Sequence, residues 1–465
     1  MFNKETYINR RNQLKSLFNS GILLFLGNDE SSMNYLDNTY RFRQDSSFLY
    51  YFGLDHQAGL VGLIDIDNNK DYIFGNDYRI DDVVWMGSMP TIADRSVNAG
   101  ISNTGNISDM QKSLDEAKSK NRKIHLLPAY RPEHNIKLFN WLNIPVNETN
   151  NFTSIEMITA VGEQRNIKSK EEIIQLEQAA SVTSDMHTAA MNFARPGMKE
   201  SEVAAKVYEV AQSAGGDISF PIIATINGQT LHNHYHGNTI QEGQLFLLDA
   251  GAENPLGYAG DMSSTFPVSA KFTDRQKEIY QIALNAHNAA IEILKPGINF
   301  REAHFTACRT IFNGLKDLGF TKGDTKEAVQ AGAHALFFPC GTGHLMGLDV
   351  HDMENLGEVY VGYAGKPKST LFGLKSLRLG RELKPGYVVT IEPGIYFIPE
   401  LIDLWRSQNK FTDFINYDKV EKYRDFGGLR NEEDILITET GHKILGKPLA
   451  KSIEDVENER AKAFE

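Results

Sequence analysis

"QLFLLDAGAENPLGYAGDMSSTFPV", residues 244–268, is the stretch on which the fold turns. A short apolar run ends directly on Asp249, a glycine-marked reversal follows, and Asp261 opens a second strand-like run. The pattern reads as a β-hairpin with a carboxylate at the end of each arm. An Asp at the end of an apolar strand is costly if buried and unpaired, so it calls for a metal or an Arg partner. The hairpin brings Asp249 and Asp261 side by side, as a dinuclear metal site requires. The plainer reading is two turn-forming aspartates at strand ends, where Asp is common.

Two more acids sit in similar settings. Glu392 lies in "YVVTIEPGIYF", inside a β-branched strand and just before Pro-Gly, and Glu432 enters the strand "ILIT" in "GGLRNEEDILIT". "GTGHLMGLDVHD" (341–352) adds His344 and His351 in a glycine-broken apolar run. A lone buried His is more often a satisfied core residue than a ligand. Four strand-embedded carboxylates and one imidazole nevertheless make a five-ligand set. Such hard donors favour Mn²⁺, with Zn²⁺, Co²⁺ or Fe²⁺ as alternatives. In "TLHNHYHGN" (230–238), alternation predicts His232, His234 and His236 on one face of a strand. We expect one imidazole of this tract to line a substrate pocket rather than the tract to hold a third metal.

The first part of the chain alternates strand-like runs, "GILLFLG" (21–27), "GLVGLIDI" (59–66), "DYIFG" (71–75) and "KIHLLPA" (123–129), with a helix-like stretch at 108–120. That pattern predicts an α/β domain. A polar stretch then precedes a long helical pattern that Ser169 and Glu172 open with capping-box spacing and "RPG" (195–197) stops. The expected domains are 1–165 and 166–465. In the second, "FARPGMKESEVAAKV" and "LKPGINFREAHFTAC" both run helix end, Pro-Gly turn, new helix. A duplicated α+β half and two unrelated helix joins both fit that echo.

Composition narrows the function classes. With 48 basic and 60 acidic side chains in 465 residues, a net charge of −12 argues against a nucleic-acid binder. Two cysteines, Cys308 and Cys340, are too few for a disulfide framework. No run reaches bilayer-spanning length, and the first apolar run is too short for a signal-peptide core, so a cytoplasmic location without membrane association is expected.

In order along the chain, "DAGAENPLGYAGD", "GHLMGLDVHD", "TIEPGIY" and "GLRNEEDILIT" resemble the M24B metallopeptidases of pita-bread fold, aminopeptidase P above all, with prolidase close behind. "YRFRQDSSFLYYFGL" (40–54) resembles the aminopeptidase P N-terminal domain, so the likeness covers nearly the whole chain. The resemblance implies an α/β N-terminal domain followed by a pita-bread catalytic domain of duplicated α+β halves. It implies a metallo-aminopeptidase that removes the residue before proline. Two divalent metals would be held by Asp249, Asp261, His344, Glu392 and Glu432, with Asp261 and Glu432 bridging. His351 and His232 would face the substrate, and Arg430 would orient the acids. The alternatives are a prolidase restricted to Xaa-Pro dipeptides and a fold-sharing binding protein without catalysis, which the five filled ligand positions disfavour.

Three features depart from the family pattern. Cys340 stands where many relatives carry a His, and the spacings from His351 to Glu392 and from Glu392 to Glu432 hold extra sequence, around 358–375 and 400–420. Cys340 reads as a small buried hydrophobe, or else as a redox-sensitive thiol in the pocket. Long loops near a catalytic face usually shape access. The resemblance also implies a homodimer or homotetramer in which a neighbour's N-terminal domain presents Trp85 and Asp37 to the substrate. The plainer reading puts Trp85 in the α/β core, with "VVW" as a strand end.

Overall fold

Three apolar runs of the first third of the chain become neighbouring strands, Ile22–Leu26, Val61–Asp65 and Lys70–Phe74, paired antiparallel. Parallel strands flank them, Ile124–Leu126 beside Ile22–Leu26 and Asn103–Gly105 beside Lys70–Phe74, completing a five-stranded sheet. Leu24, Val61 and Leu63 pack with Met110, Leu114 and Ala117, which recur at helical spacing along Ile107–Ser119. Asn106 caps that helix by accepting from the Asp109 N–H. Helix Ser46–Phe52, within the stretch 40–54, starts on Asp45 and ends on Gly53 in the left-handed region at φ 69°.

The computed structural model describes residues 1–465, and contacts sort them into two units. One comprises Met1–Arg165 and Met353–Val361; the other comprises Asn166–Asp352 and Gly362–Glu465. No sequence pattern marked the return of 353–361 to the first unit. "VVW" is not a strand end: it lies in the short helix Ile80–Met86, which buries no side chain, and Trp85 is 85% exposed. The core reading of Trp85 therefore fails. Asp37 is likewise exposed, in the turn between strands Ser32–Tyr35 and Asn38–Thr39.

The second unit repeats one plan. Helices Lys170–Phe193 and Glu200–Ser213 precede an antiparallel sheet of Met262–Pro267, Leu245–Ala250 and Ile223–Thr225. Helices Asp274–Glu292 and Phe300–Asp317 precede a second, of Val388–Ile391, Glu433–Ile437 and His442–Ile444. Ser169 caps the first helix in a reciprocal pair with Glu172: the Ser169 N–H donates to Glu172 Oε2 at 3.0 Å, and the Glu172 N–H returns to Ser169 Oγ. Each helix pair is joined through a Pro-Gly turn, with Gly197 at φ 91° and Gly297 at φ 85°.

The halves meet where segment 430–432 runs beside strand Met262–Pro267. The Glu432 N–H donates to the Ser263 carbonyl at 3.0 Å, and the Arg430 N–H donates to Thr265 Oγ1 at 3.0 Å. In the second half, the Thr390 N–H donates to the His344 carbonyl at 3.0 Å, and the Glu392 N–H to the Thr342 carbonyl at 2.7 Å. Gly343 permits that approach, because a Cβ there would lie 2.0 Å from the Thr390 carbonyl oxygen. Residues about fifty apart in sequence are thereby set side by side.

Candidate active site

Where the halves meet, a cavity of about 630 Å³ opens, lined by Asp249, Asp261, His344, Glu392, Arg430 and Glu432. Asp249 stands near the end of strand Leu245–Ala250, and Asp261 immediately precedes Met262–Pro267. The strand register places Asp249 opposite Ser263, two residues from Asp261. The hairpin thus delivers both carboxylates to one wall.

Each donor is held from behind. The Asp261 N–H donates to Asp434 Oδ2 at 3.1 Å, and Ser263 Oγ donates to Glu432 Oε2 at 2.7 Å. Arg430 is buried and spends its guanidinium locally: Nε donates to Ser263 Oγ at 2.9 Å, Nη1 to the Tyr396 hydroxyl at 2.9 Å, and Nη2 to Asp249 Oδ2. Lys451, also buried, donates from Nζ to the Glu432 carbonyl at 3.0 Å.

The cavity face of the set is unsatisfied. Asp249 Oδ1 and Asp261 Oδ1 are buried without a hydrogen-bond partner. His344 Nδ1 lies 3.0 Å from the Leu345 carbonyl, which can only accept, so Nδ1 holds a ring proton. In the neutral ring, Nε2 then presents a lone pair, 3.3 Å from Asp261 Oδ2 and 3.7 Å from Glu392 Oε1. Donor atoms of Asp261, His344 and Glu432 all lie within 4.8 Å of one another. Burial, and then Asp249, Asp434 and Glu392, push Asp261 well above the usual carboxylate range, against the pull of Arg430. Burial, Asp261, Glu392 and Asp249 do the same to Glu432. Glu392 is raised mainly by burial, with His344 and Arg430 opposing. Lone pairs and carboxylates crowded in this way need positive charge among them, and oxygen donors with one imidazole suit hard divalent metals. The residues present fit such ions.

His351 lines the same cavity, its ring set edge-on to His344 with centroids 4.3 Å apart. The tract 230–238 is not a strand. His232 and His234 line the cavity from a turn and irregular chain, while His236 pairs with the Ile222 carbonyl at 3.0 Å. Alternation misled here because polar residues alternate as readily in a solvated loop. Although part of its surface is exposed, desolvation in the cavity lowers the His232 imidazole below the ordinary range, with Arg430, Arg378 and His351 adding to the effect and Asp249 opposing it. Cys340 also lines the cavity, and burial beside Glu392 pushes its thiol up to about 12, which disfavours the thiolate that oxidation chemistry needs.

Trp85 and Asp37 are not among the cavity-lining residues of this chain. The extra sequence after His351 supplies Phe372 and Ser376 to the wall, and Arg378 follows directly after it. The second extra segment braces it, with Trp405 of helix Pro399–Ser407 edge-on to Phe372 at 5.9 Å. Sequence reasoning missed Ser263, Tyr396, Asp434, Lys451 and Arg378. The one local signal was Asp434, two residues after Glu432 in a strand otherwise apolar from Ile435 onward.

The chain is similar to known proteins over nearly its whole length. Residues 174–439 match metallopeptidase family M24, and residues 7–126 match the aminopeptidase P N-terminal domain. The Homo sapiens Xaa-Pro dipeptidase is 29% identical over 94% of this chain and 88% of its own. The Escherichia coli K12 Xaa-Pro aminopeptidase is 30% identical over 90% of this chain and 89% of its own. A solved structure of an Escherichia coli aminopeptidase P variant in complex with substrate superposes with a TM-score of 0.81 at 28% identity, covering 100% of this chain and 99% of that one.

Proposed function

The chain belongs to metallopeptidase family M24, and from that membership we propose that it releases the N-terminal residue of peptides with proline in second position, using two divalent metals. The observation that carries this reading is the convergence of Asp249, Asp261, His344, Glu392 and Glu432 on one cavity with buried carboxylate oxygens unpartnered. These five would hold the metals, and Mn²⁺ suits the donor set best. When bound, the ions supply Lewis acidity that makes water nucleophilic at neutral pH and polarises a carbonyl.

The chain's own groups do the rest. Arg430 fixes Asp249 and, through Ser263, Glu432, so neither carboxylate can swing toward solvent. The Glu392 side chain is 22% exposed, against 6% for Asp261, so it reaches the cavity. Its Oε1, 3.7 Å from His344 Nε2, can there hold the proton of an attacking water. His351 and His232 lie where they can donate to the developing oxyanion and the leaving nitrogen. A bond to proline has no amide N–H, so recognition falls to the ring and the free amine; Phe220, Pro221, Ile223 and Phe372 give the cavity apolar wall for the ring.

One observation favours a second reading, an Xaa-Pro dipeptidase. Arg378 brings a second guanidinium to the wall, where it could meet the free carboxylate of a dipeptide. Metal content measured alongside hydrolysis of Xaa-Pro and Xaa-Pro-Xaa series tests both readings. The aminopeptidase cleaves the longer peptides at least as well as the dipeptides. A dipeptidase cleaves only the shorter ones, and its KM for them rises in Arg378→Leu. Activity that survives complete removal of metal would refute both.

The assembly reading follows from Trp85, whose 85% exposure beside exposed Ile80, Val84 and Met86 leaves an apolar tip needing cover. A homodimer or homotetramer would place Trp85 and Asp37 over a neighbour's substrate. Trp85→Ala should then raise KM for tripeptides with metal content unchanged, and a fully active monomer in sedimentation would rule this out. Two free cysteines and no helix long and apolar enough to cross a membrane are consistent with a cytoplasmic enzyme.

A further inference from the structure

A second group of metal-binding side chains lies outside the carboxylate cavity. His304 and Cys308 stand one turn apart on helix Phe300–Asp317, and His334 faces them from the turn Ala333–Leu336. One donor atom from each lies within 4.8 Å of the other two, and all three residues are buried, at 0%, 0% and 1% exposure. Cys308 Sγ is already 3.5 Å from His304 Nε2. Metal–ligand bonds of about 2.0–2.3 Å put donors that share an ion roughly 3–4 Å apart.

Two details distinguish this group from ordinary core packing. His304 turns Nδ1 to Thr342 Oγ1 at 2.9 Å, which orients Nε2 toward the thiol, as the outer hydrogen bond of a metal-ligating His does. His334 is buried, and neither ring nitrogen makes a well-formed hydrogen bond, the Val329 backbone being the one polar group that acts on it. Buried polar atoms are nearly always partnered, so an imidazole this poorly satisfied beside a thiol and a second imidazole asks for a ligand. Thr342 is shared with the first site, since its carbonyl accepts from the Glu392 N–H at 2.7 Å.

The charges around the group select the ion. No carboxylate acts on His304, Cys308 or His334; the charged groups that do are Arg301, on His304, and Arg309, on Cys308. A divalent ion on one thiolate would leave a net positive charge buried in an already positive field. A monovalent ion on one thiolate is neutral. Thiolate and imidazole are also the donors that soft Cu⁺ prefers over carboxylate.

We propose that His304, Cys308 and His334 form a buried three-coordinate site for a soft monovalent cation, Cu⁺, separate from the divalent-metal cavity. On binding, Cys308 Sγ loses its proton to solvent and forms the S–Cu bond, with no change of oxidation state.

The test titrates the full-length protein, loaded with Mn²⁺, with Cu⁺ under anaerobic conditions against a chromogenic Cu⁺ chelator. Wild type should take up one equivalent of Cu⁺ without releasing Mn²⁺, and X-ray absorption should show one sulfur and two nitrogen neighbours. Cys308→Ser and His334→Gln should each weaken uptake by 100-fold or more, while Cys340→Ala should leave it unchanged. His334→Gln, on the short turn, serves if the Cys308 variant fails to fold. No uptake by wild type, uptake indifferent to His334→Gln, or loss in Cys340→Ala would overturn the site. Cys308-dependent uptake of Zn²⁺ in preference to Cu⁺ would overturn the choice of ion.

Discussion

Arg11 and Asp261 are both ionisable side chains buried in a core, and they are treated in opposite ways. Arg11, on helix Lys4–Lys15, is wholly buried, and each nitrogen of its guanidinium finds a partner: Asp71 Oδ2 at 2.8 Å, the Tyr51 carbonyl at 2.7 Å and the Ala99 carbonyl at 2.8 Å. Asp261 meets Asp249, Asp434, Glu392 and Glu432 and keeps Oδ1 unpartnered. The first arrangement is neutralised within the chain, where Lys15 Nζ lies 3.3 Å from the Asp71 oxygen that makes no hydrogen bond, and it holds helix, sheet and loop together. The second is incomplete within the chain, and its completion is left to what binds there. Buried charge therefore signals function only where the protein's own atoms do not finish the job.

If that contrast holds, damage to the two regions separates stability from activity. Asp261→Asn or Glu432→Gln should abolish metal binding and leave no measurable peptidase activity, by elemental analysis and assay. In chelator, neither variant should melt below wild type, because a repelling carboxylate has been removed. Arg11→Met should do the reverse, costing about 3–5 kcal/mol, because the Tyr51 and Ala99 carbonyls lose a buried donor and Asp71 keeps only Lys15. The molecules that remain folded should keep their metal and a kcat/KM near wild type. An Arg11 variant that loses metal first would break the comparison.

His351→Ala sharpens it within the cavity. On the proposed role of its cavity-lining ring, it should keep both metals and lose kcat by roughly 10²-fold. Metal loss would mean that His351, rather than His344, is the ligand.

The smallest effect is a matter of pH. Without metal, the folded chain holds protons at Asp261 and Glu432 that the unfolded chain releases, because both are raised by burial and neighbouring acids. That contribution is present in full below the unfolded pKa of about 4 and is lost as pH rises through the folded values. In chelator, the gain in Tm from Asp261→Asn should therefore be larger at pH 8 than at pH 5. Asp65 runs the other way. Burial alone would raise it, but its bonds to Arg122 and Asn68 outweigh that and hold it low, so its contribution is present above about pH 4 and lost as pH falls. An equal gain at both pH values would show that the cavity acids do not compete for protons.

By itself the sequence determined the features that local chemistry can write. Strand runs at 21–27, 59–66 and 71–75, the Ser169–Glu172 cap and the Pro-Gly turns depend on residues a few positions apart, and each formed. Asp249, Glu392 and Glu432 stood out because a carboxylate beside an apolar strand is costly wherever the strand ends up. Tertiary structure alone decided that Asp249 Oδ1 and Asp261 Oδ1 remained bare. That outcome depended on Ser263, Tyr396 and Asp434, chosen by pairings across 34 to 173 residues that leave no periodic trace. It also decided that "TLHNHYHGN" is a loop, that 353–361 joins the first unit, and that His334 comes to face His304 and Cys308. Periodicity reports which face of an element is buried, and contact between distant elements is settled only when those faces pack.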